Sequence, residues 1–238
     1  MVEHPSWFAG RSLTIDPSNP QIAYGGGYYY ESPGQGAIAV AKTADSWSST
    51  CAIRPLAPHP GYVYALAIDP HNTDIVYAGG GYCDRTGNWH LALFKSLDGG
   101  SEWHDISLEL DDQSQPVYAL AIDQNAPNTI YAGTSAGIYK STSAGSSWRI
   151  INCPFDTVSS LSVDSLSPGT IYAATPGGVY RSRDGGLTWN AMDLGFSLFP
   201  VTSFAVDLVR TGRVYAGTLG EGVFAHSVVG VEDPEFPT

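Results

Sequence analysis

One phrase occurs five times in this chain of 238 residues, and it limits the possible folds more than any other feature. It reads SLTIDPSNPQIAYGGG from Ser12, YALAIDPHNTDIVYAGG from Tyr64 and YALAIDQNAPNTIYAGT from Tyr118. It returns as SLSVDSLSPGTIYAAT from Ser160 and SFAVDLVRTGRVYAGT from Ser203. The repeated aspartates are Asp16, Asp69, Asp123, Asp164 and Asp207. A second phrase follows four of the copies: TADSWSST from Thr43, SLDGGSEW from Ser96, STSAGSSW from Ser141 and SRDGGLTW from Ser182. Its pattern is S-x-D-x-G-x-T-W. The third copy has Ser143 in place of Asp, the first ends in Thr50, and the fifth unit lacks it.

Each unit holds four short runs rich in β-branched and aromatic residues, separated by Gly, Pro, Asn and Asp turns, the signature of an antiparallel meander. No stretch has a convincing 3.6-residue period. Four-stranded units recurring every ~40–45 residues read as propeller blades. The fold expected is therefore all-β, a single β-propeller of four-stranded antiparallel blades, five in number, with a fragment of a six- or seven-bladed ring as the alternative. The propeller is assigned to 1–231, with repeats at about 11–51, 62–106, 116–152, 158–192 and 201–231, and 232–238 as a linker. The last blade needs one more strand, from Val228–Glu232 or from a returning Met1–Phe8.

A residue present in every blade serves the blade, because a single site needs it only once. The repeated aspartates are read as caps on the innermost strands. Trp103, Trp148 and Trp189 are expected to be buried between blades. Eleven Lys and Arg against 23 Asp and Glu give a net charge of −12, so no basic patch is available for nucleic acid or an anionic membrane surface. No apolar run approaches the ~18 residues of a spanning helix. Cys51, Cys83 and Cys153 have no C-x-x-C spacing, and no metal ligands or cofactor site are assigned. Three free thiols are one reading, and a Cys51–Cys83 disulfide is another.

The style D-P-x-N-P…I-Y-A-G-T…G-V-Y-K-S-x-D-G-G-x-T-W resembles the Asp-box (BNR-type) β-propellers. These include sialidases, sortilin-type receptor domains, xyloglucan-active endoglucanases and photosystem II assembly factors. The resemblance covers nearly the whole chain and implies the propeller fold. It says less of function, because the matching residues build blades. The end of the chain, VVGVEDPEFPT from Val228, resembles the linker before a sorting domain in exported bacterial proteins, which implies a secreted or cell-surface protein.

Function is sought where the blades differ. Asp16 to Thr43 and Asp69 to Ser96 both span 27 positions, whereas Asp123 to Ser141 and Asp164 to Ser182 span 18. The first two blades thus carry nine-residue insertions, Tyr28–Gly36 and Tyr82–His90, between their second and third strands. They bring Tyr28, Tyr29, Tyr30, Glu31, Tyr82, Asp84, Arg85, Trp89 and His90 to the face that carries the blade links. Ring faces suit the C–H face of a pyranose, and carboxylates take hydroxyls. A groove lined by Tyr29, Trp89 and His90, with Glu31 and Asp84 at its rim, is the expected ligand site. The competing reading is that the rings cover their own hairpins. Glu31, Asp84, Asp111, Asp112 and Asp156 are the acids available to a glycosidase, but no spacing singles out a pair. The sequence therefore favours a monomeric, exported, non-catalytic module for a glycan or protein ligand. A xyloglucanase-like glycoside hydrolase and a protein assembly factor are the alternatives.

Overall fold

The computed structural model describes residues 7–32, 35–45, 51–107, 115–192, 200–207 and 213–227. Its strands form five antiparallel sheets, each a meander in chain order, with no α-helix among the described residues. The first blade is β1 (Trp7–Ile15), β2 (Ala23–Ser32), β3 (Gln35–Thr43) and β4 (Ala52–Ala57). The second is β5 (Gly61–Ile68), β6 (Val76–Cys83), β7 (Trp89–Ser96) and β8 (His104–Asp105). The third is β9 (Ala119–Ile122), β10 (Ile130–Thr134), β11 (Gly137–Ser141) and β12 (Arg149–Ile151). The fourth is β13 (Ser160–Val163), β14 (Ile171–Thr175), β15 (Gly178–Ser182) and β16 (Asn190–Met192). The fifth shows β17 (Val201–Val206), β18 (Arg213–Thr218) and β19 (Gly222–Ser227).

The first strands pack in series, β1 on β5, β5 on β9, β9 on β13 and β13 on β17, so they are the innermost. Each junction between consecutive blades has its own apolar cluster. Tyr24, Ile38 and Val40 meet Val63, Val76 and Phe94 at the first. Leu91 and Leu93 meet Val117 and Ala132 at the second. Ile138 and Ile151 meet Val158 and Leu161 at the third, and Tyr172 and Val179 meet Val201 and Phe204 at the fourth. The repeated glycine of the second strand makes this approach possible. A Cβ on Gly26 would lie 2.4 Å from Val63, on Gly79 2.6 Å from Val117, and on Gly133 2.7 Å from Val158. β17 and β1 make no comparable contact among the described residues.

Polar groups tie the same junctions. Lys42 donates to the Gly99 carbonyl at 2.6 Å, Lys95 to Ala144 at 2.8 Å and Lys140 to Gly185 at 2.8 Å. Each ammonium also lies over a tyrosine ring of its own blade: Tyr24, Tyr77 and Tyr131. The acceptors sit in the turns that carry the second repeated phrase. There Ser96 Oγ donates to Asp98 Oδ1, which accepts from the Ser101 and Glu102 amides. Ser182 and Asp184 repeat this geometry. Ser143 replaces the carboxylate in the third turn with a hydroxyl that still accepts from the Ser147 amide.

Asp16, Asp69 and Asp164 are buried and accept backbone amides two and three residues on, capping the turn after the innermost strand. Burial pushes the Asp16 carboxyl up, but hydrogen bonds from Ser18, Thr73 and Asn19 together outweigh it and leave it below its usual value. The tryptophans differ from expectation. Trp103, Trp148 and Trp189 are half-buried, each just before the outermost strand and packed against the edge of a junction cluster.

The two insertions are extended hairpins. β2 runs ten residues and β6 eight, against five each for β10 and β14. Tyr28, Tyr29 and Tyr30 pair with Ile38, Ala37 and Gly36, while Tyr82 and Cys83 pair with His90 and Trp89. β1 lengthens to match, so Trp7 and Phe8 pair with Tyr30 and Tyr29. These two residues therefore complete the first blade and are not available to close the fifth. Residues 1–6 and 228–238, which hold the rest of both proposed closing strands, lie outside the described residues.

Candidate functional site

The long hairpins flank a cleft of about 550 Å3. Tyr29 and Ala37 come from the first hairpin, Asp84 and Arg85 from the second. The third wall is β4 and the link to β5, including Leu56, Pro58 and His59. Two backbone bonds fix that link: the Ile38 amide donates to His59 O at 3.1 Å, and the Cys83 amide to Pro60 O at 2.8 Å. The wall is rich in proline, so it offers apolar surface on a backbone of low flexibility.

Asp84 organises the second hairpin's loop. Its Oδ1 accepts from the Thr86 amide and hydroxyl and from the Asn88 amide. Its Oδ2 lies 2.8 Å from His90 Nε2. The Thr86 hydroxyl first and His90 second hold its carboxyl well below the usual carboxylate range. Arg85 is exposed and has no hydrogen-bond or ion-pair partner among the described residues. The guanidinium is thus the unspent charge of the cleft, although the protein as a whole is acidic.

Tyr82 is the middle of a stack. Its ring lies 5.1 Å from His59 and 5.2 Å from His90. This stack supports the cleft wall from behind. Beside the cleft, His59 Nδ1 is buried and has no hydrogen-bond partner among the described residues.

The structure thus brings Tyr29, Asp84 and Arg85 to the cleft. Tyr82 and His90 buttress it, and Trp89, 49% exposed, lies outside its lining. Tyr28 crosses its own hairpin, since a Cβ on Gly36 would strike its hydroxyl, and reaches Tyr62 at 5.7 Å. Tyr30 is half-buried between Trp7 and Gly36 in the strand register. Glu31 belongs to β2, but its side chain falls outside the described residues, as do Asp111 and Asp112. Cys51, Cys83 and Cys153 are free thiols, so the Cys51–Cys83 bridge is not formed.

One group of residues escapes a reading by loop length. The ladder slips by one residue at Arg11, Tyr64 and Thr202, on the innermost strands of blades one, two and five. By repeat alignment the same position is Tyr118 in blade three and Ser159 in blade four. A bulge re-aims its side chain. Here Arg11 lies over the Tyr62 ring at 4.9 Å, and the rings continue from Tyr62 to Tyr64 at 6.0 Å and Tyr118 at 5.4 Å. An aromatic series therefore runs from Tyr28 across three blades. The signal was available in the sequence, as Arg, Tyr and Tyr standing one residue before the repeated small residue where blades four and five have Ser and Thr.

No family model matches this chain, and no curated protein matches it. Solved structures do. The GH74 enzyme of Niastella koreensis superposes with a TM-score of 0.65 at 23% identity, over 87% of this chain and 33% of its own. An ancestral GH74 enzyme gives 0.70 at 20% identity, over 91% and 30%. The GH74 xyloglucanase of Xanthomonas campestris gives 0.54 at 16% identity, over 91% and 44%. The chain spans less than half the length of each. Likeness at these identities speaks of architecture: the protein is an all-β propeller of five sheets, similar in fold to GH74 enzymes.

Proposed function

We propose that the cleft between the first two blades binds a saccharide and that the chain is a glycan-recognition module acting outside the cell. The carrying observation is the cleft itself. Its volume of about 550 Å3 is within the range of small-ligand sites. It is built by both hairpins that break the repeat. Tyr29 supplies a ring face, Leu56 and Pro58 an apolar wall, and Arg85 an unpaired donor fork for ring or hydroxyl oxygens.

The state of Asp84 sets it apart from the general-acid role and suits it only to the roles of an ionised carboxylate. A glycosidase general acid needs a raised pKa, and Asp84 is lowered with both oxygens engaged. The fold likeness to GH74 enzymes favours the second reading, hydrolysis of a polysaccharide, with acids drawn from Glu31, Asp111, Asp112 or Asp156. A screen of soluble polysaccharides, with reducing ends assayed in parallel, separates the two. Saturable binding without new reducing ends supports recognition. Release of sugar supports hydrolysis. Capture of one protein partner with no glycan bound would contradict both.

A further inference from the structure

We propose, on the reading of this cleft as a saccharide site, that its ligand is acidic: a short oligosaccharide whose uronic acid carboxylate is held by Arg85. A sugar hydroxyl donates as well as accepts, so a site for neutral sugars supplies both kinds of partner. Here the acceptors are already engaged. Asp84 is the only carboxylate lining the cleft among the described residues. Its Oδ1 accepts from the Thr86 amide and hydroxyl and from the Asn88 amide, and its Oδ2 lies against His90. On the facing wall, the His59 and Pro60 carbonyls accept the Ile38 and Cys83 amides. Pro55, Pro58 and Pro60 have no N–H to offer.

Apart from the Tyr29 hydroxyl, the open polar group is the Arg85 guanidinium, a fork that only donates. It matches a group that only accepts, and a carboxylate is such a group. The loop is built to present this side chain. The Asp84 amide donates to Asn88 O at 2.9 Å, the Gly87 amide to Asp84 O at 3.1 Å, and Asn88 Nδ2 to the Thr86 hydroxyl at 2.8 Å. Gly87 takes a φ of +89° to close the turn. The carboxylate next to Arg85 in the chain is thus spent on the turn and on His90, and the guanidinium stays open toward the cleft.

A guanidinium pairs a carboxylate through two parallel N–H···O bonds, and apolar surroundings strengthen the pair. Leu56 and Pro58 supply those surroundings, and the ring of Tyr29 offers a face for the pyranose. The charge of −12 bears on the size of the ligand. Its field opposes a polyanion, so the match is to a sugar chain with one carboxylate instead of a run of them.

The test is a calorimetric titration of the full chain with oligosaccharides that carry a single glucuronate or a single galacturonate. The same oligosaccharides are titrated after carboxyl reduction, which turns the carboxylate into a CH2OH group and leaves the rest of the sugar unchanged. The acidic form should bind at least about tenfold more tightly. Arg85→Gln should bind both forms equally. Arg85→Lys should keep only part of the preference, because an ammonium lacks the fork. Neither change should shift the melting temperature, since Arg85 is exposed. Added sodium chloride should shrink the wild-type preference and leave binding of the reduced form unchanged. Equal binding of the two forms by the wild type, or a preference that survives Arg85→Gln, overturns the acidic ligand and leaves a neutral saccharide in the cleft. A stronger preference in Glu31→Gln than in the wild type also overturns it, because the acid of the first hairpin would then be the partner of Arg85. Binding of neither form overturns it too, and the polysaccharide screen then shows whether the cleft takes any saccharide at all.

Discussion

The protein has three lysines, and all three perform the same task. Lys42, Lys95 and Lys140 each cross a blade junction to a turn carbonyl of the next blade. Hydrogen bonds from a charged donor contribute about 1.5–3 kcal/mol. Lys95→Met keeps the apolar stem and should lower unfolding stability by an amount in that range, read from a urea titration. The phenols beside these lysines are expected to contribute to the alkaline limit. Tyr24 and Tyr131 are pushed from 10.0 up to about 12, by burial first and by nearby carboxylates second. A folded value above the unfolded one supports the fold below pH 10 and loses that support as pH climbs toward 12. Lys95 and Lys140, lowered by burial, act in the opposite sense, but their shifts are smaller. The denaturation midpoint should therefore fall between pH 10 and about 12, and Tyr24→Phe should flatten that fall. A flat wild-type profile would show that these hydroxyls carry no stability.

Among the elements, the hairpins and junctions show what could be read from residues and what could not. The repeated Asp, the Gly-rich turns and the β-branched runs placed the strands, because each acts within a few residues of itself. The fourth blade shows it: Ile171–Thr175 and Gly178–Ser182 are strands flanking the Pro176–Gly177 turn. The insertions were found by counting, but their conformation was not evident from the count. Tyr28 to Tyr30 and Tyr82 lengthen strands because β1 and β5 extend to pair with them, and the Cys83 amide donates to Pro60 O just before β5. The proline wall of the cleft is not legible in the sequence, since its place depends on backbone bonds that the His59 and Pro60 carbonyls accept from Ile38 and Cys83. The junction glycines give a direct test of packing. Val117 is β-branched and stiff, so it cannot yield to a Cβ on Gly79. Gly79→Ala should cost roughly 1–3 kcal/mol as an overpacking change. Gly10→Ala, whose nearest atom would be 3.7 Å away, should stay within about 0.5 kcal/mol. Equal effects in thermal or chemical unfolding would show that the blades do not pack this closely.

At the scale of the whole molecule, the described blades are regular except for the long hairpins of the first two. Blades three and four have short hairpins and serve the scaffold, whereas blades one and two reach beyond them and enclose the cleft. The sequence pointed to the pair of insertions but could not choose among their aromatics. Tyr29 lies in the cleft wall, and Trp89 lies outside it. That difference allows the most direct test, a calorimetric titration of the best glycan from the screen against the wild type, Tyr29→Ala and Trp89→Ala. Tyr29→Ala should weaken binding by about tenfold or more, the loss of roughly 1.4 kcal/mol, with an unchanged melting temperature. Trp89→Ala should leave affinity within about twofold. Equal losses from both variants, or full affinity in Tyr29→Ala, would contradict a binding site in this cleft.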